Sequence, residues 1–274
     1  MTIASSATLS GPQNNIEYSQ AAGVPLYMDA VIPEGSGPFP AAIIVHGGGW
    51  VRGDRRTYVT PLFSPLTQAG IAWFSIDYRL SEHITQFGSA IVDVQSAIRF
   101  VKTHAADYGI DPERIALIGE SAGGQLAAMA ALDPAPGTRV KAVVALYAPT
   151  DLVDLAKNST MIPKQVRDMI SGTPFENIIL ARLGQLSPVE NIKPDPPPFL
   201  LIHGTADHLV PFLQSRVMCD RLIAAGGTCE LYPVQGGGHG IRWWETSHPD
   251  EARAYKRKMA RWLKEQLAGS SGTL

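Results

Sequence analysis

Short, continuous apolar runs alternate along this chain with longer stretches in which apolar positions recur every three or four residues. The runs at 40–46, 71–77, 114–118, 141–147 and 198–203 carry almost no polar side chains, the pattern of strands covered on both faces. Residues 228–234 alternate more, and Pro233 points to a strand end or an edge. Ahead of these, 15–20 and 24–32 predict two antiparallel edge strands turning at Ala22-Gly23. In 90–105, Ile91, Val94, Ile98 and Val101 fall on one helical face, with Arg99 and Lys102 elsewhere. Near the C-terminus, Ser247 and Pro249 supply a helix start. Ala252, Tyr255, Met259, Trp262 and Leu263 then form an apolar stripe opposite Arg253, Lys256, Lys258 and Arg261, a basic face left to solvent. Strand and helix in alternation predict an α/β fold, a mostly parallel central sheet flanked by helices.

One segment breaks the alternation. Residues 151–194 hold short helical pieces punctuated by Pro163, Gly172-Thr173-Pro174 and Gly184, too long for a plain connection. They are expected to form a small lid or pocket wall inserted into a single domain spanning 1–274.

Composition narrows the function classes. A chain of 274 residues with 45% hydrophobic and 18% charged side chains can bury a sizeable core and is not disordered. Lys+Arg 23 against Asp+Glu 25 leaves a net charge of −2 and no cationic excess for nucleic acid. No run approaches the roughly 18 apolar residues of a membrane span, and Met1–Ser6 has neither a basic leader nor an apolar segment. The compartment stays open between the cytoplasm and secretion with a leader removed. Cys219 and Cys229 are too few for a disulfide-dense scaffold or a Cys-rich zinc site. They are expected as free, buried thiols, with a single bridge as the alternative.

The chemistry concentrates at strand ends. After the 114–118 run comes Gly119-Glu120-Ser121-Ala122-Gly123-Gly124, then a helix-forming stretch: G-x-S-x-G in the strand–turn–helix context of a nucleophile elbow. After an earlier strand, His46-Gly47-Gly48-Gly49-Trp50 exposes successive backbone N–H groups, so Gly48, Gly49 and Ala122 are the candidate oxyanion-hole donors. A serine hydroxyl needs a general base, and the base an orienting carboxylate. His239 lies in Gln235-Gly236-Gly237-Gly238-His239-Gly240 and Asp207 in the run from Gly204 to Pro211, both loops following strands. His208 is the rival base, and Asp151 and Asp154 are the alternative acids. His46 is expected to hold the glycine loop, His203 lies within a strand, and His83, His104 and His248 fall outside the converging loops.

Together these motifs resemble the α/β-hydrolase serine esterases from about residue 15 onward. With Asp77-Tyr78-Arg79-Leu80 between them, they are similar to hormone-sensitive-lipase-like carboxylesterases and to bacterial feruloyl and acetyl-xylan esterase-like hydrolases. Ahead of His46 there is room for two edge strands but not for the helical cap of the first branch. The resemblance implies two-step acyl transfer by Ser121, His239 and Asp207 without metal or organic cofactor. It further implies a small-molecule or oligosaccharide ester substrate, with a short acyl or hydroxycinnamoyl group, of plant cell-wall carbohydrate type. Trp50, Trp243 and Trp244 are candidate substrate-binding faces, Met161, Ile162 and Met169 candidate acyl-side residues, and Tyr78 and Arg79 candidate braces of the glycine loop. Acyl and alcohol specificity and oligomeric state are not fixed by the sequence. A prolyl-oligopeptidase-like serine peptidase and a non-catalytic binding protein on the same fold are the alternative readings.

Overall fold

The computed structural model describes residues 11–81, 87–158 and 172–269. Within them the apolar runs become strands β1 (Gly11–Ala21), β2 (Val24–Ile32), β3 (Phe39–Val45), β4 (Ala72–Ile76), β5 (Ile110–Glu120), β6 (Ala142–Leu146), β7 (Phe199–Gly204) and β8 (Cys229–Val234). They form one sheet in the order β1-β2-β4-β3-β5-β6-β7-β8. β2 runs antiparallel to both of its neighbours, and every pairing from β4 through β8 is parallel. The sequence places most strand ends within a residue or so; β5 starts earlier than expected because Phe39 pairs with Ile110. At the first hairpin Ala22 and Gly23 have φ of +53° and +81°, the left-handed pair that a tight two-residue turn demands.

Helices α1 (Phe63–Gln68), α2 (Phe87–Thr103), α3 (Ala122–Leu132), α4 (Leu152–Asn158), α5 (Pro174–Gln185), α6 (Leu213–Ala224), α7 (Ile241–Ser247) and α8 (Pro249–Gln266) surround the sheet. Successive residues of β3 divide the core. Ala41, Ile43 and Val45 pack with residues of α2, α3 and α6, while Ala42 and Ile44 pack with α1 and α8. This is the period-2 alternation of a strand covered on both faces. The stripe expected on α8 is buried in full, and Pro249 opens that helix.

Register sets the site. Val45 pairs with Gly119, and Glu120 with Leu146, so β3, β5 and β6 end level and release their loops at one edge of the sheet. Between β6 and β7 the described part comprises α4, α5 and a short turn of helix at Pro188–Glu190. Met161, Ile162 and Met169, and also His83, lie outside the described residues.

The expectation of free thiols is corrected. α6 packs along β8 and brings the Cα atoms of Cys219 and Cys229 to 5.4 Å, and the two sulfurs are bonded. That spacing is within bridging range, and it follows from helix-on-strand packing that the spacing in sequence does not reveal.

Candidate active site

The turn between β5 and α3 holds Ser121 at φ +51°, ψ −123°, a conformation that a side chain disfavours. Hydrogen bonds maintain it: Ser121 N–H donates to Leu146 O at 2.9 Å, and Ser121 O accepts from Gly124 N–H at 2.9 Å and Gln125 N–H at 3.2 Å. The neighbouring glycines are required by contact. A Cβ on Gly123 would stand 2.2 Å from Val45 O and 2.3 Å from His46 O, and one on Gly119 would stand 2.2 Å from Gly123 O.

Ser121 Oγ lies 2.9 Å from His239 Nε2, and His239 Nδ1 lies 2.7 Å from Asp207 Oδ2. A carboxylate only accepts, so Nδ1–H donates to it and Nε2 is left to take a proton from the serine. Oδ1 of Asp207 accepts from the N–H groups of Leu209 and Val210, each at 2.9 Å. Burial pushes this carboxyl up, but hydrogen bonds from His203 and His239, with the backbone donor of Val210, outweigh it and hold the group well below the usual carboxylate range. His208 is exposed; among the described residues the hydrogen-bond partner of Ser121 Oγ is His239. The alternative acids are engaged elsewhere. Asp151 Oδ1 accepts from Asp154 N–H at the start of α4, and Asp154 Oδ2 accepts from Gln214 Nε2, both at 2.9 Å.

The glycine loop after β3 runs beside the Ser121 turn, where Gly123 packs against His46 O. Gly48 has φ +109°, and a Cβ there would stand 2.0 Å from Arg52 O. The N–H groups of Gly48, Gly49 and Ala122 make no hydrogen bond among the described residues. His46 Nδ1–H donates to Gly47 O at 2.7 Å. Tyr78 stacks on His46 with ring centroids 4.3 Å apart and donates its hydroxyl to His46 O at 3.1 Å. Burial holds the His46 imidazole below its usual range, hence neutral. Arg79 does not brace this loop: its guanidinium grips Asp93 on α2.

Two residues unmarked in the sequence reading tie the loops together. Gly47 N–H donates to Glu120 Oε1 at 2.5 Å. The Tyr147 hydroxyl hydrogen-bonds Glu120 and accepts from Ile241 N–H at 3.1 Å, while its ring stands edge-on to His239 with centroids 4.8 Å apart. Burial pushes the Glu120 carboxyl up, and the bonds from Tyr147 and Gly47 pull it back only in part. The available signal was a carboxylate closing an otherwise apolar strand.

With this geometry established, comparison with known proteins places the chain. The BD-FAE family model matches residues 28–222. The chain belongs to the BD-FAE family. It is 37% identical over 199 residues to a probable carboxylic ester hydrolase, LipM, of Mycobacterium tuberculosis, covering 68% of this chain and 46% of that protein. It is 35% identical over 211 residues to the esterase LipQ of the same organism, covering 73% and 49%. The chain thus spans about half the length of the curated relatives it matches. Among solved structures it is similar to Est2, a thermophilic esterase of Thermogutta terrifontis, with a TM-score of 0.76, 27% identity and 94% of each chain covered. It is also similar to a truncated carbohydrate esterase from gut microbiota, with a TM-score of 0.78, 28% identity and coverage of 96% and 98%.

In this BD-FAE chain two of the three tryptophans do not offer faces to a ligand. Trp50 is buried and donates Nε1–H to Gln125 Oε1 at 2.9 Å. Trp244 is fully buried and donates to Gly238 O at 2.8 Å. Each indole finds an internal acceptor that its position beside a glycine loop did not announce. Trp243 is 44% exposed and lies over Gly238, next to His239. Among the described residues no cluster of His, Cys, Asp or Glu is placed to hold a metal ion, and no helix is long and apolar enough to cross a membrane.

Proposed function

We propose that this chain is a serine carboxylic-ester hydrolase that works through an acyl-enzyme. The relay Ser121–His239–Asp207, beside a glycine loop whose Gly48 and Gly49 N–H groups, like that of Ala122, have no partner among the described residues, carries the reading. Ser121 Oγ attacks the ester carbonyl as His239 Nε2 takes its proton, and Asp207 stabilises the imidazolium. The N–H groups of Gly48, Gly49 and Ala122 receive the oxyanion, where charge develops in the transition state. His239 then protonates the leaving alcohol, and water repeats the steps on the acyl-enzyme. No metal or organic cofactor enters these steps.

The substrates proposed are short-acyl or hydroxycinnamoyl esters, including those of plant cell-wall carbohydrates. Exposed Trp243, over Gly238 one residue before the base, supports an aromatic or sugar contact, and the likeness to a carbohydrate esterase points the same way. The described part of segment 151–194, α4 and α5, is proposed as a small lid or pocket wall within a single hydrolase domain. The Cys219–Cys229 bridge supports maturation in an oxidising compartment.

A fluorophosphonate probe and an ester panel test the proposal. Ser121 should be labelled, and Ser121→Ala should lower kcat/KM by about 10³-fold or more with the fold retained. Acetyl or feruloyl esters should be cleaved faster than octanoyl esters. An unlabelled native protein, or full activity in the alanine variant, would overturn the hydrolase reading; a long-chain preference would overturn the substrate class.

A further inference from the structure

His203, next to last in β7, is fully buried. Its Nε2 faces two acceptors, the carbonyl of Val210 at 2.9 Å and Asp207 Oδ2 at 3.5 Å. Neither can donate, so Nε2 carries the proton. Nδ1 lies 2.7 Å from Ser215 Oγ on α6, and that hydroxyl donates to it. The Phe212 ring closes the side with an edge-on contact at 5.7 Å.

We propose that His203 is a positioning residue of the hydrolase, whose Nε2–H, bonded to Val210 O and 3.5 Å from Asp207 Oδ2, ties the acid and its turn to the sheet. The inference rests on the ester-hydrolase reading. Asp207 sits on a loop, and its base comes from a second loop rich in glycine, Gly236-Gly237-Gly238-His239-Gly240. Neither loop supplies a stiff frame. β7 does, and Ser215 locks the imidazole to α6, so the frame reaches the carboxylate through His203. By holding Val210 O, the same N–H also steadies the turn whose amides grip Oδ1.

The arrangement has a second effect. Oδ2 accepts from His239 Nδ1–H with the His203 N–H dipole 3.5 Å away, and a carboxylate whose charge is partly offset pulls less strongly on the His239 proton. Remove one donor and His239 becomes more basic, so the acidic limb of kcat/KM moves to higher pH. Among the described residues Asp207 is the titratable group facing His203. Those facing His239 are Asp207 and Tyr147, with Glu120 behind the tyrosine.

The test compares the full-length wild type with His203→Asn and His203→Gln. Asparagine keeps an amide near Ser215 but does not reach Asp207; glutamine does. The readouts are kcat/KM for p-nitrophenyl acetate from about pH 5 to 9, melting temperature, and fluorophosphonate labelling. His203→Asn should lose about tenfold or more in kcat/KM and move the acidic limb upward, while His203→Gln restores most of both. An unmoved limb, or a loss equal in the two variants and tracking stability alone, would overturn the proposal while labelled wild type left the hydrolase intact. Should His203→Asn not fold, Ser215→Ala takes its place: it frees the imidazole, an upward limb supports the proposal and a fixed limb defeats it. Wild type that takes no label removes the hydrolase reading, and this inference falls with it.

Discussion

The amide of Gly47 donates to the carboxylate of Glu120 at 2.5 Å, so the loop proposed to receive the oxyanion hangs from the residue immediately before Ser121. One bond joins the two loops. Glu120→Ala would leave the Gly47 N–H and the Tyr147 hydroxyl without their acceptor in a buried place. A loss of about 10² in kcat/KM is expected, the scale of a displaced oxyanion donor, with Glu120→Gln much closer to wild type. Steady-state kinetics on both variants decide it; equal losses would show that the charge, not the acceptor, matters.

Asp207 links the site to acid stability. Its carboxyl sits below its unfolded value despite burial, because hydrogen bonds from two histidines and the backbone outweigh desolvation. A depressed native value stabilises the fold above the unfolded pKa of about 4 and loses that contribution as pH falls toward the native one. Asp207→Asn should therefore be the less stable protein at pH near 7 and show a flatter decline below about pH 4. Melting temperatures across that range test this; parallel curves for the two proteins would refute it.

The neighbouring tryptophans should separate cleanly. Trp244 is fully buried between Tyr147 and Tyr255, and its replacement by alanine should cost about 3–5 kcal/mol of stability. Trp243→Ala, at an exposed position, should change stability by about 0.5 kcal/mol or less. It should raise KM for feruloyl esters roughly three- to tenfold, the worth of one aromatic contact, and leave acetyl esters nearly unchanged. Identical effects on both esters would remove Trp243 from the substrate site.

The disulfide closes a loop of sequence separation 10. Chain-entropy arguments give about 2–3 kcal/mol for a loop of that size. Urea unfolding with and without reductant should show a lower midpoint on reduction, and Cys219→Ser should reproduce it. A midpoint insensitive to reductant in a protein with titratable thiols would count against the bridge.

The strands and helices were legible because each obeys one period: continuous apolar residues in β3, β6 and β7, a stripe at three and four on α8. The meeting of Ser121, His239 and Asp207 was legible because the G-x-S-x-G turn and the loops after parallel strands confine polar side chains to few positions. What stayed hidden depends on side-chain rotamers and neighbours. Glu120 read as the free position of G-x-S-x-G, His203 as a strand residue, and Arg79 as a brace for the glycine loop, whereas its guanidinium grips Asp93. Trp50 and Trp244 lie next to the right loops in sequence, yet Gln125 Oε1 and Gly238 O draw their indoles inward. The cysteine pair depended on how α6 lies against β8.

The backbone of Ser121 sets fold and function against each other at one residue. At φ +51° and ψ −123° a side chain costs about 1–3 kcal/mol, and glycine would occupy the same turn freely. Selection for stability alone would therefore replace the proposed nucleophile. A library of this chain sorted only by melting temperature should drift toward glycine at position 121 and lose hydrolysis as it gains heat resistance, so any effort to harden the protein must screen for activity from its first round.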